Sequence, residues 1–407
     1  MQAFFKFFSI FILSATCIYS HAQEKLPVEG DIPILAWIGV PEREMTLARY
    51  QEMKVAGINI NFANFSNVES VERALDIAKQ AGIKLQPYCP ELKSDPEKTV
   101  RRLMKHPALA GYHLRDEPNA TDFPELAEWV KRIQTVDKQH YCYINLFPNY
   151  ASKEQLFGDD YKSQPGRDVY AAHVDTFLKH VSVPFISFDH YPVIEKNEKK
   201  VLRPEWYKNL EIIAAASKKF NLPFWAFSLS VAHGPYPIPT IADIRLQMYS
   251  NLAYGAQVLQ YFTYWNPGVN ASWDFHDAPI GLDGKRTVVY DRMKEVNREI
   301  QNLSGVFLHS KLVSVAHTGK EIPPGTRRLA KLPDPVKVLE TGDNGAVVAV
   351  LEKGDRQFLV IVNRDAETKM KLTIVTDDRV KRVLKDGTLV PANAYTPSIE
   401  VEPGDVV

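Results

Sequence analysis

The chain has 407 residues, with 49 Lys and Arg against 49 Asp and Glu, so its formal net charge is zero. A chain without a basic excess lacks the electrostatic footprint that a phosphate backbone requires, and no nucleic acid is expected as a partner. At 45% hydrophobic and 24% charged it is ordinary globular material, long enough for a large barrel plus an accessory module. Its three cysteines include no CxxC pair for zinc or an iron–sulfur cluster.

In chain order, residues 1–22 read as a signal peptide: Lys6, an apolar run from Phe7 to Ile18, then Ser20-His21-Ala22 as a small-x-small cleavage site. The run is too short to span a bilayer, and no other stretch is apolar and long enough to do so. The expected location is therefore periplasmic or secreted. Lipid attachment at Cys17 is the weaker rival, because Ser14-Ala15-Thr16 is a poor lipoprotein box. The remaining cysteines, Cys89 and Cys142, fall on the third and fifth strands and are too far apart to bridge.

Residues 23–310 alternate short apolar or β-branched runs with helical patterns. The strand candidates are Ile34–Ile38, Ile58–Phe62, Ile83–Tyr88, Gly111–Leu114, Tyr141–Leu146, Pro184–Phe188, Pro223–Phe227 and Val258–Tyr264. Helical patterns between them include Val68–Ala81, Pro96–Lys105, Pro124–Val136, Val169–His180, Glu205–Phe220 and Ile241–Ala253, and a ninth long pattern, Val288–Leu303, follows the last strand. Gly57, Gly82, Gly111 and Gly255 mark helix ends. Eight β/α alternations predict a parallel (β/α)8 barrel, an α/β fold. An open doubly wound sheet would show a glycine-rich phosphate turn after the first strand, and Gly39-Val40-Pro41-Glu42 is not one.

Residues 311–407 change character. Val336–Leu339, Ala346–Leu351, Phe358–Val362, Met370–Val375, Val380–Leu384 and Ser398–Val401 read as short strands of a small antiparallel β-sandwich. Gly342–Gly345 and Lys353–Asp355 look like hairpin turns, and the Pro-rich stretch Pro323–Pro335 like the connector leading in. Only two of the chain's aromatics, Phe358 and Tyr395, lie beyond residue 310, so packing support is the expected role of this module.

Barrels of this kind carry their chemistry at the C-terminal ends of the strands. The residues expected there are Trp37 on strand one, Asn61 on strand two and Tyr88 with Glu91 on strand three. Strand four ends in Tyr112, Asp116 and Glu117, strand five in Asn145, and strand six in Asp189, His190 and Tyr191. Trp225 on strand seven and Tyr264 with Trp265 on strand eight complete the set. This collection has acids, amides and rings, but no phosphate cradle, no GxSxG elbow and no diagnostic metal spacing, although His113, Asp116, Asp189 and His190 offer ligand atoms. No cofactor or metal is expected. Carboxyls flanked by aromatic rings suit an oligo- or polysaccharide. Glu117 follows its strand directly and Pro118 stops the chain continuing. Asp116 is its neighbour, and neighbours on an extended chain face opposite ways, so only a bulge or turn would bring both into one pocket. Long loops at Tyr150–Arg167 and Val193–Arg203 could wall that pocket.

Three stretches, Gly111-Tyr112-His113-Leu114-Arg115-Asp116-Glu117-Pro118, Phe188-Asp189-His190-Tyr191-Pro192 and Tyr261-Phe262-Thr263-Tyr264-Trp265, resemble clan A (β/α)8 glycoside hydrolases, particularly exported Bacteroidetes-type members with a trailing β-sandwich. The resemblance implies that Asp116-Glu117 stands where clan A has Asn-Glu, with Glu117 as acid/base. It departs from the pattern at strand seven, which lacks the clan's nucleophilic Glu. The Asp-Glu pair also resembles glycoside hydrolase family 123 hexosaminidases, where the substrate's 2-acetamido group is the nucleophile and the Asp orients it. The expected function is glycoside hydrolysis, either by Asp116-assisted attack of the substrate or with Asp189 as nucleophile or base; the alternative is a degenerate barrel that binds glycans without cleaving them.

Overall fold

The computed structural model describes residues 24–159, 168–269, 272–392 and 398–407. The signal-peptide reading, with Cys17, lies outside these residues, as do 160–167 of the long loop after strand five and Tyr395. Among the described residues no helix is long and apolar enough to cross a membrane.

Eight parallel strands form the barrel: β1 (Ile34–Trp37), β2 (Ile60–Asn64), β3 (Lys84–Tyr88), β4 (Gly111–Asp116), β5 (Tyr141–Leu146), β6 (Ile186–Phe188), β7 (Phe224–Leu229) and β8 (Val258–Phe262). From β1 to β3 and from β4 to β8 each pairs with its sequence neighbours, and β8 returns to β1. Between β3 and β4 the ring is closed just ahead of β4, where Leu85 donates to the Ala108 carbonyl (2.7 Å) and accepts from Ala110 (2.8 Å). The helices outside are α1 (Leu47–Val55), α2 (Val68–Ala81), α3 (Pro96–Leu103), α4 (Phe123–Val136), α5 (Val169–His180), α6 (Trp206–Phe220), α7 (Ile241–Ala253) and α8 (Val288–Asn302). The fold is thus a (β/α)8 barrel. Its first helix, α1, lies among polar residues too weakly patterned to read from sequence. The last helical pattern is the eighth helix of the ring, not a ninth element.

The helix α2 shows how local sequence sets these elements. Asn67 caps it by accepting from the Ser70 amide (2.9 Å). Val68, Val71, Ala74, Leu75 and Ala78 recur at helical spacing and are all buried. Gly82 ends it at φ 68°, a left-handed conformation that favours glycine. Gly111 works differently from the helix-end role expected of it. It opens β4, and a Cβ there would meet the Tyr141 ring at 2.3 Å, so its job is close approach.

Alternation along the strands divides the core in two. Leu35, Trp37, Ile60, Phe62, Tyr143, Phe227 and Val258 fill the barrel lumen. Ile34, Ala36, Ala63, Leu85, Tyr112, Cys142, Ile144 and Phe188 point outward against the helices. Cys89 and Cys142 are free and buried, and burial pushes both thiols up to about 12.

The C-terminal module is an antiparallel β-sandwich. One sheet orders β9 (Lys311–His317), β11 (Ala346–Lys353) and β12 (Arg356–Asn363). The other orders β10 (Val336–Glu340), β13 (Met370–Thr376) and β16 (Ser398–Val401), and β14 (Lys381–Val383) pairs with β15 (Leu389–Pro391). On β11, Ala346 and Val348 face the second sheet while Val347, Ala349 and Leu351 face the barrel, so the strand is buried on both sides. That contact covers α7, whose residues from Asp243 to Ala253 are nearly all buried. Two expectations change here. Gly342–Gly345 is not a hairpin turn, because β10 and β11 belong to different sheets. The Pro-rich stretch lies inside the module, because β9 precedes it and already pairs with β11. Gly354-Asp355 does close a true hairpin, with Lys353 opposite Arg356.

Candidate active site

The end of β4 departs from a regular strand in two places. Its register against β5 shifts between His113 and Arg115, a bulge that leaves Leu114 facing the helices. Asp116 then comes opposite Asn145, and the Glu117 amide still donates to the Asn145 carbonyl (2.8 Å). Glu117 itself sits at φ 46°, the left-handed region that bulky residues rarely adopt. Bulge and turn together put two consecutive acids on one side of the chain. Pro118 follows, buried, and its carbonyl accepts from His173 Nε2 on α5 (3.1 Å). Burial holds that imidazole down at about 4, so it is a neutral donor fastening the acidic turn to the helix wall. Arg115 pairs with Asp122 (3.3 Å), and no ion pair reaches Glu117 among the described residues.

Three acids converge. Asn145 Nδ2 lies 3.2 Å from Asp116 Oδ1 and 3.0 Å from Asp189 Oδ1, so one amide bridges the ends of β4 and β6. The carboxyls of Glu117 and Asp189 are within hydrogen-bonding reach of each other. Asp189, buried at 6% exposure, has its carboxyl raised well above the usual range, by burial first and then by the charges of Glu117 and Asp116. Burial and the Asp116 charge raise Glu117 to about 7. Asp116 faces the open mouth and keeps contact with water, yet enclosure still lifts it to about 6, with the Asn145 amide and Arg115 pulling back. Crowded like charges in a poorly solvated place hold protons that isolated carboxyls would release. Glu91 does not act on them; it neighbours Cys89, and its Oε2 is buried without a hydrogen-bond partner among the described residues.

Rings surround the acids. Tyr191 packs against Phe227, Tyr236 and Phe262, and its hydroxyl is raised by burial and by Asp189. Trp37 stands among Phe62, His113, Tyr143 and Phe227 in the top of the lumen. Tyr88, half-buried, closes on His113 at 6.3 Å. His190 stacks edge-on to Tyr150 (4.9 Å), is neutral through burial, and has no hydrogen-bond partner on either ring nitrogen among the described residues. The loop after β6 forms a hairpin, Val193–Lys196 with Lys199–Leu202, and delivers Arg203 over the Tyr150 ring (4.5 Å) with a hydrogen bond to Tyr236 (3.2 Å). Beyond β7 and β8, His233, Phe262, Trp273 and Phe275 form a second aromatic group, and Trp273 is 42% exposed.

Other expected residues stand elsewhere. Asn61 points outward and accepts from the Val40 amide (2.8 Å), bracing the turn after β1. Tyr112 also points outward and donates to Asp137 (2.6 Å). Trp225 lies low in the barrel, stacked on Phe185 at 3.9 Å, because β7 runs two residues past Phe227. Tyr264 and Trp265 follow β8 and turn toward α1 and α8. Arg49 sits 5.2 Å over the Trp265 ring, and Glu52 and Tyr290 neighbour Tyr264. Asn61 and Tyr112 are displaced because one residue along a strand reverses the facing, Trp225 because its strand runs two residues further and leaves it deep on the same face, and Tyr264 and Trp265 because they lie past the end of β8. The residues not foreseen are Tyr143, Tyr150, Phe262, His173 and Gln260. Tyr143 was findable, since Tyr141, Tyr143 and Asn145 alternate on one face of β5.

At the end of β7 stand Ser228 and Ser230, not an acid; Ser230 Oγ donates to the Thr263 carbonyl (2.7 Å). No grouping of three or more His, Cys, Asp or Glu suited to a metal ion occurs among the described residues. A cavity of about 910 Å³ opens between the C-terminal module and the barrel, lined by Phe358, Val360 and Ile374 on one side and Leu26, Val306 and Phe307 on the other. It lies apart from the acids.

No family model matches the chain, and no curated protein does. Solved structures do. A β-galactosidase from Bacillus circulans sp. alkalophilus aligns over 93% of this chain and 99% of its own, with 10% identity and a TM-score of 0.61. An endo-β-1,4-mannanase from Thermotoga petrophila aligns over 94% and 98%, with 13% identity and a TM-score of 0.44. A β-galactosidase from the psychrophilic Marinomonas ef1 aligns over 67% of this chain with 11% identity and a TM-score of 0.47, and the chain spans only 60% of that enzyme's length. At such identities the likeness is one of fold: the chain has a (β/α)8 barrel of the kind found in glycoside hydrolases.

Proposed function

We propose that this protein is an exported glycoside hydrolase that cleaves O-glycosidic bonds of an oligo- or polysaccharide, with Glu117 as general acid/base. The observation that carries the reading is the convergence of Asp116, Glu117 and Asp189 at the ends of β4 and β6, with Glu117 raised to about 7. A carboxyl in that range still holds a proton near neutral pH and can give it to a leaving oxygen.

The spacing of the acids favours one route. Direct displacement by an enzyme carboxylate needs about 5 Å between the two groups, and water activation about 6.5–9.5 Å. Glu117 and Asp189 are within hydrogen-bonding reach, which leaves no room for a sugar ring between them. Substrate assistance needs no second carboxylate across the ring. In that route the oxygen of a 2-acetamido group attacks the anomeric carbon while Glu117 protonates the departing oxygen and the glycosidic C–O bond breaks. Asp116 holds the acetamido N–H and steadies the positive oxazolinium. Glu117, now a carboxylate, takes a proton from the water that opens it. The test is release of sugar from a panel of 2-acetamido glycans: Glu117→Gln removes it, and a thiazoline inhibitor blocks the wild type. Near wild-type turnover by Glu117→Gln refutes the assignment. Indifference to thiazolines, with cleavage of sugars lacking the acetamido group, refutes the assisted route.

A second reading, a barrel that binds glycans without cleaving them, is favoured by the serines at the end of β7, where clan A glycosidases carry their nucleophile. Calorimetric binding of a glycan that never yields product supports it.

A further inference from the structure

Beneath the acids, four buried side chains make a closed hydrogen-bonded circuit across the lumen. Tyr143 Oη lies 2.6 Å from Gln260 Oε1 and 2.8 Å from Ser187 Oγ. Ser187 Oγ is also 3.0 Å from Gln260 Nε2 and 2.9 Å from Asn145 Oδ1. Tyr143, Ser187 and Gln260 are essentially inaccessible to water, and Asn145 is 2% exposed, so no solvent proton enters the count.

Those four contacts need four hydrogens. The two hydroxyls supply one each. Gln260 supplies one, because only one end of its amide carries hydrogen, whichever way it is turned. Asn145, with its NH2 toward the acids, offers Ser187 only a carbonyl oxygen and supplies none. One contact is then two oxygens face to face with no hydrogen between them, an unfavourable arrangement in a dry interior.

Rotating the Asn145 amide by half a turn removes the shortage. Its Nδ2 and the Gln260 Nε2 both donate to Ser187, Ser187 donates to Tyr143, and Tyr143 donates to the Gln260 Oε1. The two faces of an amide are nearly isosteric, so the lumen accepts either orientation. The Asn145 carbonyl then faces Asp116 and Asp189, and only a carboxyl that carries its proton can donate to it.

We propose that Asn145 is a positioning residue with two amide orientations, and that the circuit of Tyr143, Ser187 and Gln260 favours the one that keeps protons on the acids. When the acids ionise, the amide turns its NH2 to them and the circuit carries the shortage. The groups facing this amide are Asp116 and Glu117 from β4, Asp189 and Tyr191 from β6, and Tyr143 from β5. Tyr150 and Arg203 stand farther out, and the neutral His113 stacks on Tyr143 at 5.6 Å. The raised carboxyls agree with a site built to keep protons. The proposal concerns the acids of the glycosidase reading, but it is tested on proton occupancy, so either can fail alone.

The test is infrared titration of the protonated-carboxyl band, identified as the intensity lost in Asp189→Asn. Ser187→Ala, Gln260→Leu and Tyr143→Phe each remove one member of the circuit, and in each the remaining hydrogens suffice with the Asn145 NH2 toward the acids. All three should lower the midpoint by about half to one pH unit, the worth of one hydrogen bond. Ser187→Thr, which keeps the hydroxyl, should restore it. Folded variants whose midpoint stays at or above wild type overturn the proposal, because a merely structural role changes stability and leaves the midpoint alone. Neutron diffraction of the wild type decides even if the variants do not fold. Opposite amide orientations on the two sides of the midpoint support it; one orientation on both sides overturns it.

Discussion

The two sides of the barrel mouth are built from different chemistry. Around β4, β5 and β6 stand Asp116, Glu117, Asp189 and the bridging Asn145, with Tyr191 and Tyr150 over them. Around β7, β8 and β1 stand Ser228, Ser230, Trp37, Phe262, Phe275 and the exposed Trp273, with no acid at the strand ends. Under the proposed function, proton transfer and substrate grip would fall on separate sides. One side concentrates carboxyls until their charges oppose ionisation; the other offers flat apolar faces suited to a pyranose.

The largest expected effect falls on the acidic side. Glu117→Gln should lower turnover on a cleaved glycan by about 10²–10⁴-fold, measured as released reducing sugar, with a melting temperature at or above wild type because one crowded acid is gone. Next, Trp225→Ala should destabilise the fold by about 3–5 kcal/mol, because the ring fills the lower lumen against Phe185. Denaturant titration checks this, and a loss of glycan affinity without loss of stability would return Trp225 to the mouth.

Acid titration sharpens the comparison further. Unfolded carboxyls titrate at about 4, whereas Asp116 and Glu117 titrate at about 6 and about 7 in the fold. The folded state therefore binds extra protons. The stability this brings is fully present below about pH 4 and is lost as pH rises through about 6–7. Asp189→Asn removes one crowded acid, so its melting temperature should exceed wild type by a margin that grows across that window. A constant margin would mean that the acids do not share their charge.

On the aromatic side the effects are smaller. Trp273→Ala should weaken oligosaccharide affinity by about 1 kcal/mol, roughly fivefold by calorimetry, and leave stability near wild type. Smallest of all, Tyr112→Phe should take away about 1 kcal/mol of stability through its bond to Asp137 and leave binding untouched. Loss of affinity in Tyr112→Phe would put that ring back in the site.

Much of this was legible in the chain. The β/α alternation, helices such as Val68–Ala81, Val169–His180 and Ile241–Ala253, and the acids after strands four and six all follow from local pattern. Glu117 was legible because a proline and a strand end fix where the chain stops. Asn61 and Tyr112 stand elsewhere because strand facing reverses with each residue, and Trp225, Tyr264 and Trp265 because the strand ends fall elsewhere along the chain. Nothing local says whether β7 ends at Phe227 or Leu229.

Sequence by itself determined the elements, their order and the identity of the acids, since hydrophobic period, caps and turn residues act over a few positions. Tertiary structure alone decided that Asp116 and Glu117 share a side, through the bulge at Leu114 and the left-handed turn at Glu117. It also decided that Asn145 joins acids 29 and 44 residues away, and that a circuit from β8 backs it. Those contacts are separated along the chain and meet only when the barrel closes. Proton affinity is likewise a property of the closed barrel, because it depends on which charges face each other and how little water is left between them.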